Sequence, residues 1–227
     1  MRKIPNEIIG TISNVKGVEK IIWAYSGAKR CSDFQLEYKP SLCPIFDELS
    51  LEFDGNFIKE KGWPDWDYFV VTYQEKGDFM MDIAAGMLYD IPHCCSKAYY
   101  EKTIRSYDTF FRDHPFDGKK NLRDILEMAG SPSFYERFEK HCEACNFKGN
   151  YDIVHHLAIE SIELASSAYL PKSVFLLLGQ GYVPCKPKCR CFLSKSKKMM
   201  RSLEVNLPKE RVDKCFREYK GKALEIR

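Results

Sequence analysis

Two cysteine groups, each opening on a proline, carry the chemistry that this sequence can do. The first is Ile91-Pro92-His93-Cys94-Cys95, and the second is Pro184-Cys185-Lys186-Pro187-Lys188-Cys189-Arg190-Cys191. Each leads into a stretch that reads as helix. With Pro92 as the first helical residue, both Cys94 and Cys95 fall in the first turn, where unpaired N–H groups and the positive end of the dipole favour thiolate over thiol. Consecutive helical residues point about 100° apart. The expectation is therefore that one of the pair is a ligand, while the other packs or assists. Cys185 and Cys189 are four apart and share a face if a helix begins by Cys185. If the helix begins at Pro187, Cys185 must curl back towards Cys189. Lys186, Lys188 and Arg190 surround them with positive charge, which also stabilises thiolate. Cys191 lies off that face.

Together these residues form the constellation Cys94, Cys95, Cys185 and Cys189. Four thiolates suit tetrahedral zinc or an iron–sulfur cluster, and three with an open position suit a catalytic centre. Soft sulfur argues against magnesium and calcium. The C-x3-C spacing departs from the common C-x2-C knuckle and tilts the expectation slightly towards a cluster. The bland alternative is a set of buried free cysteines packing as small hydrophobes.

The pairing of a Pro-x-Cys-Cys helix start with a later Pro-Cys-x3-Cys resembles an uncharacterised, largely archaeal domain family with related bacterial members. The resemblance covers roughly residues 77–203 and rests on Pro92, Cys94, Cys95, Pro184, Cys185 and Cys189. Relatives carry Gly-Tyr-Pro before the double cysteine, where this chain has Asp90-Ile91-Pro92. That family has no settled activity. The resemblance implies that the two groups work as a pair and names no reaction.

Lesser candidates surround this set. His141-Cys142-Glu143-Ala144-Cys145 holds a C-x2-C, a half-site for zinc or a dithiol couple, which His155 or His156 would complete only at an unusually short spacing. Cys142 and Cys145 are thus metal candidates, weighed evenly against two ordinary thiols at a helix end. His93 abuts the thiol pair, titrates near neutrality and is the candidate proton donor. His155 and His156 read as satisfied core residues on a buried helix, and Glu160 and Glu163 as a solvated face. Tyr25-Ser26-Gly27-Ala28-Lys29-Arg30 follows an apparent strand and could cradle phosphate, but lacks Walker spacing and reads as a turn. Between residues 186 and 201 the chain holds Lys186, Lys188, Arg190, Lys195, Lys197, Lys198 and Arg201 without an acidic residue. That run would draw RNA or another polyanion, or a phosphate-bearing substrate, towards the thiols, although a solvated helix face has the same composition. Cys31, Cys43 and Cys215 look isolated.

The elements that must position these residues divide the chain. Residues 1–75 read as a small mixed portion. Ile21–Tyr25 and Tyr68–Tyr73 have the β-branched and aromatic content of strands, and the alternating Leu49–Phe53 run is a candidate third. Residues 76–227 read as a helical, cysteine-rich domain forming one compact unit with the first portion. Helices are expected near 78–89, 92–112, 120–129, 132–141, 151–170, from the second cysteine group to about 203, and over 208–224. The class is α+β, predominantly helical with a small N-terminal β portion.

Bulk composition bounds the function. The chain has 227 residues, 35 basic against 32 acidic, a net charge of +3 and ten cysteines. Net charge makes no case for nucleic acid, so that case rests on the 186–201 run alone. The N-terminus lacks the apolar stretch of a secretion signal, and the apolar runs are too short to span a bilayer. A cytoplasmic, reducing location is expected, in which cysteines favour ligation over disulfides. No Rossmann or Walker loop, zincin motif or nucleophile elbow is present. Two functions follow. One is an iron–sulfur redox or modification enzyme for a phosphate-bearing substrate such as RNA or a nucleotide; the other is a structural zinc module that binds RNA or protein without catalysis. A weaker third is a thiol–disulfide enzyme using Cys94 with Cys95 or Cys142 with Cys145. Oligomeric state is not legible.

Overall fold

The computed structural model describes residues 1–33, 40–54, 57–61, 89–103, 140 and 151–226. The expected strand at Tyr68–Tyr73, the helices at 78–89 (residue 89, in a turn, excepted) and 120–129, all but residue 140 of the helix at 132–141, and the Cys142/Cys145 site lie outside them. The described elements are α1 (Asn6–Ile12), α2 (Val18–Tyr25), β1 (Cys31–Asp33), α3 (Cys43–Glu48), β2 (Leu51–Asp54), β3 (Phe57–Glu60), α4 (His93–Thr103), α5 (Tyr151–Ser166), α6 (Phe175–Leu178), α7 (Arg190–Asn206) and α8 (Lys209–Leu224). The protein is α+β and mostly helical. Its small antiparallel sheet has the order β1-β3-β2, with Ser32 opposite Ile58 and Phe53 opposite Ile58 on the other edge. Among the described residues no helix is long and apolar enough to cross a membrane.

One expected strand is a helix. Ile21–Tyr25 lies within α2, which starts after the left-handed Gly17 at φ 81°. Val18, Ile21, Ile22, Trp23 and Ala24 are all buried. A short run that is apolar on every side carries no period, so it fits a buried helix as well as a strand. The Leu49–Phe53 expectation is met in part by β2. The helix expected over 151–170 ends at Ser166, and Ala168 turns the chain at φ 62°.

The hub is α7. Phe192, Lys195, Ser196, Met199, Ser202, Leu203 and Asn206 form its buried face, the 3–4 spacing of an amphipathic helix. The N-terminal portion packs onto it. Trp23 donates its indole N–H to the Met199 carbonyl at 3.2 Å, and Asn206 Oδ1 accepts the Ile4 N–H at 2.7 Å. Residues on both sides of position 75 thus share one core. The four residues of α6 are fully buried, each contributing about 1.5–3 kcal/mol by leaving water. Gly179 follows, where a Cβ would sit 2.2 Å from the Tyr219 carbonyl oxygen, so only glycine lets α8 approach.

The turn after α2 sends Lys29 inward. Its ammonium is 2.7 Å from Gln180 Oε1 and 4.9 and 5.1 Å from the ring centres of Tyr89 and Tyr182. The loop therefore does not offer this lysine to a phosphate. Burial lowers the Lys29 pKa from 10.5 to about 7, partly offset by Asp33. Between those values the unfolded chain binds more protons than the folded one, so stability rises with pH from about 7 towards 10. Lys29→Met should flatten that rise in metal-free protein. Chemical denaturation of both proteins at intervals from pH 7 to 9.5 checks it; parallel curves would contradict the assignment.

Candidate metal centre

The first arm of the site is the start of α4. Pro92 precedes the helix, and its carbonyl accepts the N–H groups of Cys95 at 2.7 Å and Ser96 at 3.1 Å. His93 is therefore the first helical residue, and Cys94 and Cys95 follow in the first turn. The second arm is the loop from Pro184 to Cys189, closed by a 2.9 Å bond from the Cys189 N–H to the Lys186 carbonyl. The helix begins only at Arg190, with Cys189 in the extended capping position. Cys185 and Cys189 do not share a helix face. The helix starts later than either expected start, and the turn through Pro187 folds Cys185 back towards Cys189.

All four sulfurs meet. The Sγ atoms of Cys94, Cys95, Cys185 and Cys189 lie within 4.8 Å of one another, a set able to hold a metal ion. Cys189 is 3.6 Å from both Cys94 and Cys95, which are 3.9 Å apart. The expectation that only one of the adjacent pair would point at the site is thus corrected. Helical Cβ atoms tilt towards the N-terminus, and in the first turn no preceding turn stands in the way, so two neighbours can converge on a point beyond the helix end.

Cys95 and Cys189 are buried, Cys185 is half-buried and Cys94 is exposed. Behind Cys95 and Cys185 lies a small, mainly apolar recess lined by Ala98, Tyr99, Val154, Leu157, Val183 and Pro184. Burial, followed by contact with Cys189, pushes the Cys94 thiol up to about 12. Burial also raises Cys95 and Cys185. Burial acts the same way on Cys189, but the Phe192 N–H and the three neighbouring thiols outweigh it and lower its pKa. The helix-start argument for thiolate at Cys94 and Cys95 is therefore overturned in the metal-free protein, and of the four only Cys189 is shifted towards thiolate, by the Phe192 N–H and its sulfur neighbours rather than by the loop cations. Sulfurs this close disfavour more than one charge among them.

The other candidates are dispersed. His93 is exposed on the first turn of α4; His155, His156, Glu160 and Glu163 are exposed on α5, so the two histidines are not core residues. Lys186, Lys188, Arg190, Lys197 and Lys198 are exposed, and Lys198 donates to the Gly27 carbonyl. Lys195 is not part of that surface. Its side chain is 8% exposed and its ammonium is bonded to Asp90. The charge run alone could not show this, although Lys195 falls on the 192–199 apolar stripe. Cys191 is exposed beside Cys94, and Cys31 and Cys215 are buried in the core. Sequence reasoning missed Asp90, whose φ of 55° is a conformation that aspartate adopts more readily than most residues.

The raised thiols make metal uptake a proton-releasing reaction. Titrating zinc into weakly buffered protein at pH 7 should release at least three protons per ion, from Cys94, Cys95 and Cys185, and affinity should fall as pH falls. An indicator dye reads the count directly; one proton or fewer would contradict the presence of protonated thiols at the site. Compared with protein-family models, with curated proteins and with solved structures, the chain matches none, so its functional reading rests on these four thiols.

Proposed function

We propose that Cys94, Cys95, Cys185 and Cys189 hold a single zinc ion whose role is structural, and that the adjoining basic surface binds a polyanion such as RNA. The observation that carries this reading is the sulfur spacing. Four ligands at about 2.3 Å around one tetrahedral ion stand about 3.8 Å apart, beside the 3.6, 3.6 and 3.9 Å measured between three of them. In a four-iron cluster each thiolate binds a different iron, which spreads the sulfurs wider. The distances therefore favour one ion over the cluster that the C-x3-C spacing pointed to. Four sulfurs fill a tetrahedron and leave no open position for substrate, which favours a structural centre over a catalytic one. In a reducing cytoplasm those thiols stay available for the metal.

Asp90 is where this chain departs from the archaeal family that its paired motif resembles. It stands where relatives have glycine, and its positive φ is the backbone that glycine supplies at least cost. On this reading the paired motif of that family is a metal site. For the polyanion, Arg190, Lys197, Lys198 and Arg201 lie along the exposed side of α7, and a stripe of cations on one helix is the electrostatic footprint that phosphates seek.

Metal analysis of protein purified without added metal tests the centre. About one zinc per chain is expected, lost on Cys95→Ala or Cys189→Ala and kept on Cys43→Ala. Iron with inorganic sulfide and visible absorption would overturn the zinc reading. For the polyanion, replacing Lys197, Lys198 and Arg201 by alanine together should weaken binding of a single-stranded RNA oligomer at least tenfold while retaining zinc. Wild-type affinity should fall steeply with added salt. RNA binding that ignores both changes would remove the polyanion.

A further inference from the structure

The two cysteine arms are joined a second time, away from the sulfurs. Asp90 lies four residues before Cys94, and Lys195 six residues after Cys189. Their carboxylate and ammonium are bonded directly, with Lys195 8% and Asp90 34% exposed. Arg30 holds the other carboxylate oxygen at 3.6 Å. Tyr89, next to Asp90, and Tyr182, two residues before Pro184, approach with ring centres 6.0 Å apart. Lys29 stands against both rings and bonds Gln180 on the approach to the second arm. The segment Lys29-Arg30, which as sequence reads as an ordinary turn, thus grips the lead-in to both halves of the thiol set.

We propose that the Asp90–Lys195 pair, backed by Arg30 and Lys29, positions the two arms for metal: these residues supply no ligand sulfur, yet they set how tightly the centre binds. This rests on the metal reading above. The physical argument is preorganisation. Without the clasp, the metal must itself bring together chain segments 95 residues apart, and the entropy of doing so comes out of its affinity. A lysine almost wholly removed from water is costly unless a carboxylate meets it, so the pair exists only when the arms are in register. Asp90 sits at φ 55°, which aims its carboxylate across to α7 while the chain turns into α4. Outer partners of metal sites commonly change affinity by about 10–100-fold.

The test measures zinc affinity by competition with a chromophoric chelator, together with the far-UV spectrum and the thermal midpoint of metal-free protein. Lys195→Met keeps the volume and suits a buried position; Asp90→Asn keeps a residue that accepts positive φ. Each should weaken zinc about 10–100-fold with its helical spectrum intact. The double variant should lose little more than either single, because one interaction is being removed twice. Lys195→Arg, which can still meet Asp90, should recover most of the affinity. Lys61→Met, which deletes the exposed Lys61–Asp47 pair remote from the arms, serves as the control and should leave affinity unchanged. Wild-type affinity in both single variants, or an equal loss in Lys61→Met, would overturn the proposal and leave the metal centre standing. A wild-type chain that takes up no metal would overturn the metal reading, and the positioning role with it.

Discussion

The constraint on which this structure turns is the meeting of four sulfurs at a place where water can solvate few of them. Cys94 and Cys189 are separated by 95 residues in sequence and 3.6 Å in space. In the metal-free protein the crowding is tolerated because Cys94, Cys95 and Cys185 are held as thiols while Cys189, facing the Phe192 N–H, is the one whose pKa falls. An ion that replaces those protons changes the sign of the interaction. Repelling anions become ligands of one cation, and the two arms become cross-linked. Closing a loop of about this length removes on the order of 4–5 kcal/mol of freedom from the unfolded chain, by the measure used for disulfides. That is comparable with the whole stability of a typical domain.

The core explains why the arms arrive together. Helix α7 carries Cys189 at its N-terminal cap and buries Met199, Leu203 and Asn206 further along. Those residues receive Trp23 and Ile4 from the N-terminal portion, so the helix is fixed in direction before its cap is considered. The fully buried α6 fixes the start of the second arm in the same way, with Gly179 admitting the backbone of α8. The first arm joins the core through Cys95. Its approach is set by Tyr89, Asp90 and the prolyl start of α4, and so the polar contacts there matter more than they would between two packed helices.

The membership of the site was legible in the sequence because cysteine pairs beside prolines at helix starts are rare and local. Their convergence could be inferred only as a pairing. Two of the rules that failed were periodic. The 100° step separates Cys94 from Cys95 in the middle of a helix but not at its open end. The β-branched run Ile21-Ile22-Trp23 looked like a strand because five apolar residues contain no period to read. Lys195 was misjudged for a related reason: seven cations in sixteen residues look like one surface, and only the stripe of Phe192, Ser196 and Met199 shows that a helix must turn one of them inward. Asp90 and Lys29 were invisible in their new roles because those depend on partners 105 and 151 residues away.

The basic residues beside the centre serve a local need whether or not they meet a polyanion. On the zinc reading, one divalent ion with four thiolates carries a formal charge of about −2. Lys186, Lys188 and Arg190 lie within the same loop and its first helical residue, and they are exposed. Cations so placed offset the excess charge of the complex and lower the cost of deprotonating its ligands. The charge left over for a partner is then the part remote from the sulfurs, at Lys197, Lys198 and Arg201. Loop cations and helix cations can therefore be told apart by what their loss disturbs. On the zinc reading, removing the first group acts on the metal and, through it, on the fold; removing Lys197 and Arg201 acts on what the surface attracts, while removing Lys198 also breaks its bond to the Gly27 carbonyl. A contiguous run of positive charge in the sequence thus divides into the cations beside the thiols, the inward Lys195 paired with Asp90, and the exposed cations further along α7.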